Sequence, residues 1–68
     1  MMPYILIQVT DEGVTVAQKQ QLIRGVTDLV VDVLDKDPAT TFVVIDEVAT
    51  ENWGVAGESV QQMRQRIR

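Results

Sequence analysis

The chain has 68 residues, of which 46% are hydrophobic, and a formal net charge of −4 at pH 7. It contains no Cys and no His, which excludes disulfides and the common zinc, iron and copper sites. The acidic balance also argues against binding to nucleic acids or to anionic membranes.

These properties predict a small subunit of a homo-oligomer. A domain of this size buries only about 60% of its unfolded surface, and a partner chain is the remaining way to add stability. No apolar run approaches the ~20 residues of a membrane span, and no signal-peptide pattern opens the chain. We therefore expect one domain over residues 1–68, a cytoplasmic location, and neither a metal nor an organic cofactor.

The first predicted element is a strand over residues 3–10. Ile5, Ile7 and Val9 alternate with a mixed set of side chains, which is typical of a strand that is covered by a helix on one face. Asp11, Glu12 and Gly13 end it, because Gly13 supplies a permissive turn residue.

A helix follows, from Thr15 to about Asp35. Thr15 and Gln18 have the spacing of a capping box, in which two side chains satisfy unpaired N–H groups at the helix start. One apolar stripe recurs at helical period and consists of Leu22, Val26, Leu29, Val30, Val33 and Leu34. Pro38 ends this segment, because the residue before a proline disfavours the helical conformation.

The second predicted strand covers residues 40–45 and is apolar on both faces, which favours a parallel strand. Strand, helix and strand make a right-handed β-α-β unit. Residues 53–57 predict a turn into a short hairpin, so the fold class is α+β. A single helix covers only one face of a two-stranded sheet. A second copy of the chain is the simplest way to cover the other face.

Few side chains are candidates for chemistry. Asp46 and Glu47 are predicted to point to opposite faces as a solvated pair at the end of the strand. Trp53 is either an interface plug or a wall of a site.

Pro3 is an ordinary strand-start residue, unless it is the first residue of the mature chain. Its nitrogen is then a secondary amine with a starting pKa near ~7.7–8.0. Burial lowers that pKa, so the amine can act as a general base.

Three segments together resemble the 4-oxalocrotonate tautomerase family. They are Pro-Tyr-Ile-Leu-Ile from Pro3, the helical segment from Gln18 to Val26, and Trp-Gly-Val-Ala-Gly-Glu from Trp53. The resemblance covers essentially the whole chain. It implies a β-α-β subunit with a C-terminal hairpin, assembly of dimers into a hexamer, and proton transfer between carbons of an enol or unsaturated 2-keto acid.

The resemblance also implies roles for particular residues. Pro3 matches the catalytic proline, Trp53 an aromatic pocket residue, and Val55 a neighbouring apolar wall. Val14 and Phe42 stand where the best-studied members use arginines to hold a dicarboxylate. Neither can make charge-assisted hydrogen bonds, which implies a monoacid or an arylpyruvate-like enol. Arg24 or the arginines at positions 64, 66 and 68 could substitute from a neighbouring subunit.

The start of the chain decides whether Pro3 can be a base. While Met1 and Met2 precede it, its nitrogen is an amide and the chain is expected to be inactive as a tautomerase. Translation from Met2, followed by removal of that methionine, exposes the amine. The alternatives are decarboxylation or hydration on the same scaffold, and a non-catalytic hexameric binding or scaffold protein.

Overall fold

The computed structural model describes residues 2–66 and contains the expected β-α-β unit. Strand β1 (Tyr4–Thr10) lies parallel to strand β2 (Phe42–Val48), and helix α1 (Val16–Leu34) connects them. Tyr4 is opposite Phe42 at one end of the sheet, and Thr10 is opposite Val48 at the other. The predicted fold class is confirmed.

Helix α1 begins at the predicted capping box. The Thr15 hydroxyl accepts a hydrogen bond from the Gln18 N–H at 3.1 Å, and the Gln18 Oε1 accepts one from the Thr15 N–H at 2.9 Å. Asp35 ends the helix in the left-handed conformation, with φ of 53°. The predicted helix is therefore correct to within one residue at each end.

Strand β2 is displaced from its predicted position. Residues Pro38–Thr40 form a 3₁₀ turn, which Asp37 caps by accepting a hydrogen bond from the Ala39 N–H at 2.9 Å. The Thr41 hydroxyl also donates to the Asp37 carbonyl at 2.9 Å. The Thr40 hydroxyl donates to the same carbonyl at 3.3 Å. Because these bonds hold Thr40 and Thr41 at the turn, the strand starts at Phe42 and continues to Val48.

The C-terminal part holds the predicted hairpin and a helix that was not predicted. Strands β3 (Gly54–Val55) and β4 (Glu58–Ser59) pair antiparallel across a turn in which Ala56 and Gly57 have φ of 53° and 87°. Helix α2 follows at Val60–Arg66. It starts at a second capping box, in which Ser59 and Gln62 exchange hydrogen bonds of 2.9 and 3.1 Å. Position 68 of the predicted arginine cluster lies outside the described residues.

The apolar stripe of α1 is only partly covered. Val26 and Val30 are half-buried, whereas Leu29 and Val33 are 61% and 67% exposed. The predicted stripe is therefore wider than the surface that covers it, because α1 lies over a sheet only two strands wide.

The face of the sheet that points away from α1 is open. Its side chains are all exposed and comprise Tyr4, Leu6, Gln8, Phe42, Val44 and Asp46. We call this surface the open sheet face. The helix-facing set, which includes Ile5, Ile7, Val43 and Ile45, is half-buried.

Global dimensions show that the described subunit has no complete core. No residue among positions 2–66 is buried. The radius of gyration is 15.5 Å, against about 11 Å for a compact domain of this length. The accessible surface is 5247 Å², roughly 1000 Å² more than a monomer of this mass usually exposes. No helix within the described part is long and apolar enough to cross a membrane.

Candidate active site

Pro3 and Phe42 lie together at the amino-terminal end of the sheet. The Pro3 carbonyl accepts a hydrogen bond from the Phe42 N–H at 2.9 Å, which extends the β1–β2 ladder by one residue. Pro3 is half-buried, while the neighbouring rings of Tyr4 and Phe42 are 61% and 51% exposed. Two exposed aromatic side chains thus lie beside the proline.

Val14 lies at the opposite end of the sheet. The chain leaves β1 through a turn in which the Asp11 N–H donates to the Val48 carbonyl at 2.7 Å and Gly13 has φ of 90°. Val14 directly precedes the helix-capping residue Thr15 and is half-buried. It begins a groove along α1 that is also lined by Gln18, Gln21, Leu22, Gly25, Val26 and Leu29. We call this surface the α1 groove; none of its lining residues is charged.

Trp53 directly precedes the hairpin, and Val55 lies in its first strand. Trp53 is half-buried, and its carbonyl accepts a hydrogen bond from the Val60 N–H at 2.8 Å, which joins it to the start of α2. Val55 is 44% exposed and lies opposite Glu58. An ion pair between Arg64 and Glu12 ties α2 to the turn after β1. The hairpin segment is therefore held at the same end of the sheet as Val14.

One subunit does not bring the predicted site residues together. Seven strand residues separate the two ends of the sheet, a length of roughly 23 Å at ~3.3 Å per residue. Pro3 and Phe42 are at one end, and Val14, Trp53 and Val55 are at the other. A single pocket that contains both groups needs more than one copy of the chain.

The carboxylates of β2 have structural partners. Asp46 and Glu47 lie inside the strand and not at its end, so the prediction of a solvated strand-end pair was wrong. They do point to opposite faces. The Gln8 amide donates to Asp46 at 3.1 Å on the open sheet face, and Glu47 pairs with Lys19 of α1 on the other.

The ion pair perturbs Glu47 electrostatically. The hydrogen bond from Lys19 holds the pKa of Glu47 below its ordinary value of 4.5, and the positive charge of Lys19 adds to this. Glu47 therefore stays ionised and fixes α1 on the sheet, which fits a structural role better than proton transfer.

Sequence reasoning missed α2 and the contacts that place it. Ser59 and Gln62 have the same three-residue spacing as Thr15 and Gln18, so the signal of a capping box was present in the sequence. The Arg64–Glu12 pair joins residues more than fifty positions apart, and no local pattern indicates it.

Comparison with known proteins agrees with this arrangement. The β-α-β unit with a parallel two-stranded sheet and a C-terminal hairpin is also the fold of 4-oxalocrotonate tautomerase isozymes from Methylibium petroleiphilum, with a TM-score of 0.85 at 35% identity over 97% and 100% of the two chains. The family model described as tautomerase enzyme matches residues 3–63. The chain belongs to the tautomerase family.

Similar proteins cover almost the whole chain. A probable tautomerase of Dickeya dadantii is 60% identical over 65 residues, which are 96% of this chain and 97% of the relative. A 2-hydroxymuconate tautomerase of Pseudomonas putida is 39% identical and covers 91% and 97% of the two chains. The crystal structure of DmpI from Helicobacter pylori superposes with a TM-score of 0.85 at 52% identity, over 93% and 97% of the two chains.

Proposed function

We propose that this chain is a cofactor-free keto–enol tautomerase that acts on an enol or unsaturated 2-keto acid, with Pro3 as its amino-terminal general base. The observation that carries the proposal is the position of Pro3. It directly precedes β1 beside the exposed side chains of Tyr4 and Phe42, and the family match begins at the same residue.

The proposed base requires a free amino terminus. In the chain as it stands, Met2 precedes Pro3, so the Pro3 nitrogen is an amide without basicity. Removal of the preceding residues leaves a secondary amine with a starting pKa near ~7.7–8.0. A subunit that covers Tyr4 and Phe42 would exclude water from this amine and lower its pKa towards neutrality.

The proposed reaction moves one proton and leaves the total composition of the substrate unchanged. The lone pair of the Pro3 nitrogen takes the proton from the enol hydroxyl, and the enol oxygen becomes a carbonyl oxygen as the double bonds shift. The resulting ammonium then returns the proton to a carbon of the same conjugated system. The amine is regenerated, and no cofactor takes part.

The proposed substrate carries one carboxylate next to an apolar or aromatic group. Val14 and Phe42, which stand at the two positions where the resemblance implies arginines, offer no charge to a second carboxylate. A second carboxylate would be desolvated without a partner, at a cost of several kcal/mol. We expect phenylenolpyruvate to be a better substrate than 2-hydroxymuconate.

We also propose a homohexamer as the working unit. The subunit has two separate apolar surfaces, the open sheet face and the α1 groove, and closed assemblies built from dimers use two kinds of contact. A related tautomerase of Chloroflexus aurantiacus, described as a heterohexamer, has a TM-score of 0.82 at 28% identity and covers 93% and 100% of the two chains. Assembly would bring Pro3 of one copy to Trp53 of another.

The test combines intact mass with kinetics. Protein from the native host is weighed, and a preparation that begins at Pro3 is assayed with phenylenolpyruvate and with 2-hydroxymuconate. The Pro3→Ala variant should lose at least about 100-fold in kcat/KM, because a positioned general base contributes 10²–10⁴-fold. Pro38→Ala replaces the second proline of the chain, which begins the 3₁₀ turn before β2 and has no free amine to offer, and should keep its activity.

Two results would contradict the proposal. Equal activity of the Pro3→Ala and Pro38→Ala variants would exclude Pro3 as the base. A native mass that retains Met2, together with no activity, would favour the scaffold alternative.

A further inference from the structure

We propose that Arg64 of helix α2 binds the carboxylate of the substrate. This inference rests on the proposed function, because a pocket that takes a 2-keto acid away from water must give its carboxylate a partner. It specifies which basic residue is that partner and which end of the substrate lies beside the hairpin.

Two contacts place Arg64 beside the predicted walls of the site. Its guanidinium Nη1 pairs with Oε1 of Glu12, two residues before Val14. On α2, Arg64 lies four residues after Val60, and therefore one helical turn from the residue whose N–H donates to the Trp53 carbonyl at 2.8 Å. Arg64 thus connects the two segments that carry Val14 and Trp53.

The guanidinium of Arg64 can bind an anion in addition to Glu12. Its side chain is 60% exposed, and the ion pair uses Nη1, one of three nitrogens that together carry five N–H donors. An exposed pair of this kind is weak, because water and salt screen it. Glu12 also accepts a hydrogen bond from the Thr10 hydroxyl through its other oxygen, Oε2, so it keeps a partner when the guanidinium turns to a ligand.

Three other basic side chains of the described part are held or directed elsewhere. Lys19 pairs with Glu47 between α1 and the sheet and is only 31% exposed. Arg66 pairs with Glu58 at 3.1 Å, so both ends of that contact lie within the C-terminal segment. Arg24 lines a separate depression on α1, which shares no lining residue with the α1 groove.

The assignment of Arg64 also orients the substrate. In the proposed homohexamer Trp53 of one copy meets Pro3 of another, and Arg64 enters the site on the same copy as Trp53. The carboxylate therefore lies beside α2, and the adjacent enol group faces Pro3 of the other copy. Arg64 binds and orients the substrate but takes no part in the proton transfer.

Binding of a non-reacting acid tests the assignment without relying on the base. The probe is 3-phenylpropionate, compared with the neutral 3-phenylpropanamide, and the signal is the fluorescence of Trp53, the single tryptophan of the chain. The assembled wild type should bind the acid at least about 10-fold more tightly than the amide, because a guanidinium forms charge-assisted hydrogen bonds with a carboxylate. Arg64→Gln should abolish this preference.

Matched variants separate ligand binding from a general effect of charge. Arg66→Gln removes a positive charge from the same helix, at a side chain that is 62% exposed and also ion-paired, and it should keep the preference for the acid. Lys36→Gln removes a charge from the connection between α1 and β2 and should also keep it.

Glu12→Gln separates ligand binding from a structural role of the ion pair. This variant loses the ion pair but retains the guanidinium, so it should bind 3-phenylpropionate at least as tightly as the wild type. If the pair only fixed α2 in place, Glu12→Gln and Arg64→Gln would weaken binding equally, and that result would overturn the proposal.

Three further results would overturn it: no preference for the acid in the wild type, an unchanged preference in Arg64→Gln, or loss of the preference in Arg66→Gln or Lys36→Gln. Circular dichroism and sedimentation velocity check the fold and assembly of every variant. If Arg64→Gln does not fold, Arg64→Lys takes its place and should reduce the preference, because lysine keeps the charge but lacks the planar fork.

The binding measurement and the kinetic test of Pro3 fail separately. Pro3→Ala should retain the preference for 3-phenylpropionate, because it leaves the guanidinium of Arg64 in place. An active Pro3→Ala variant would refute the proposed base and leave Arg64 to be decided by binding. Conversely, loss of activity in Pro3→Ala with an unchanged preference in Arg64→Gln would refute the role of Arg64 alone.

Discussion

Val44 and Val43 are neighbours on β2 that face opposite sides of the sheet, and replacing each with aspartate separates folding from assembly. Val44 is on the open sheet face and 43% exposed, whereas Val43 is half-buried on the side of α1. Val44→Asp should leave the isolated subunit folded but break the proposed homohexamer, and Val43→Asp should disturb the subunit itself. Asp46 is two residues further along the open sheet face, so the new carboxylate at position 44 gains a neighbour of like charge.

The magnitude follows from the exposed fraction. Complete burial of a valine side chain is worth ~1.5–3 kcal/mol, so covering the exposed part of Val44 contributes about 1 kcal/mol. A carboxylate that is buried without a partner adds a penalty of ~2 kcal/mol or more. A total of about 3 kcal/mol weakens the contact by roughly 150-fold, at a factor of ten for each 1.4 kcal/mol.

Sedimentation velocity with circular dichroism is the assay. The Val44→Asp variant should keep the far-ultraviolet spectrum of the wild type while its assembly dissociates at concentrations where the wild type remains intact. Val43→Asp should lose helical signal as well. An intact Val44→Asp assembly at low micromolar concentration would refute the reasoning, because it would show that the open sheet face is not covered.

Three further changes test local features. Thr15→Ala should lower the free energy of unfolding by about 1 kcal/mol in urea titrations. Gln18→Ala should lower the free energy of unfolding less in the Thr15→Ala variant than in the wild type, because both residues belong to one capping box. Ala56→Gly should raise the free energy of unfolding by about 1 kcal/mol, because alanine is strained at φ of 53°. A lower melting temperature of this variant would contradict the prediction. Because Lys19 lowers the pKa of Glu47, the ion pair stabilises the fold above pH 4.5 and is lost as pH falls through the lowered pKa. Glu47→Gln should flatten that part of the pH–stability curve.

The elements that the sequence predicted well are those with local signals. Strand β1 shows period-two alternation, and α1 shows both a capping box and helical period. The bounds of β2 depend instead on side-chain contacts that no periodic pattern indicates. Its start is set by threonines that bond back to Asp37, and its end by Gln8 and Lys19, which hold Asp46 and Glu47 in the strand.

The candidate site was only partly predictable. The identity of Pro3 and its place at a strand start follow from the sequence. Its separation from Trp53 follows from the parallel direction of the two strands and from the Arg64–Glu12 pair, which connects elements far apart along the chain. A residue list cannot show that the predicted site residues are divided between the two ends of a sheet.

The two-stranded sheet has a consequence for how the protein fails. In the described chain each strand is paired on one side only, so a solitary subunit presents two free edges with unpaired backbone groups. If neighbours join these edges through a rotation that closes, the product is finite. If the rotation does not close, the same hydrogen bonds propagate into a fibre. Variants that loosen the closed assembly should therefore be screened for fibrous aggregates as well as for free subunits.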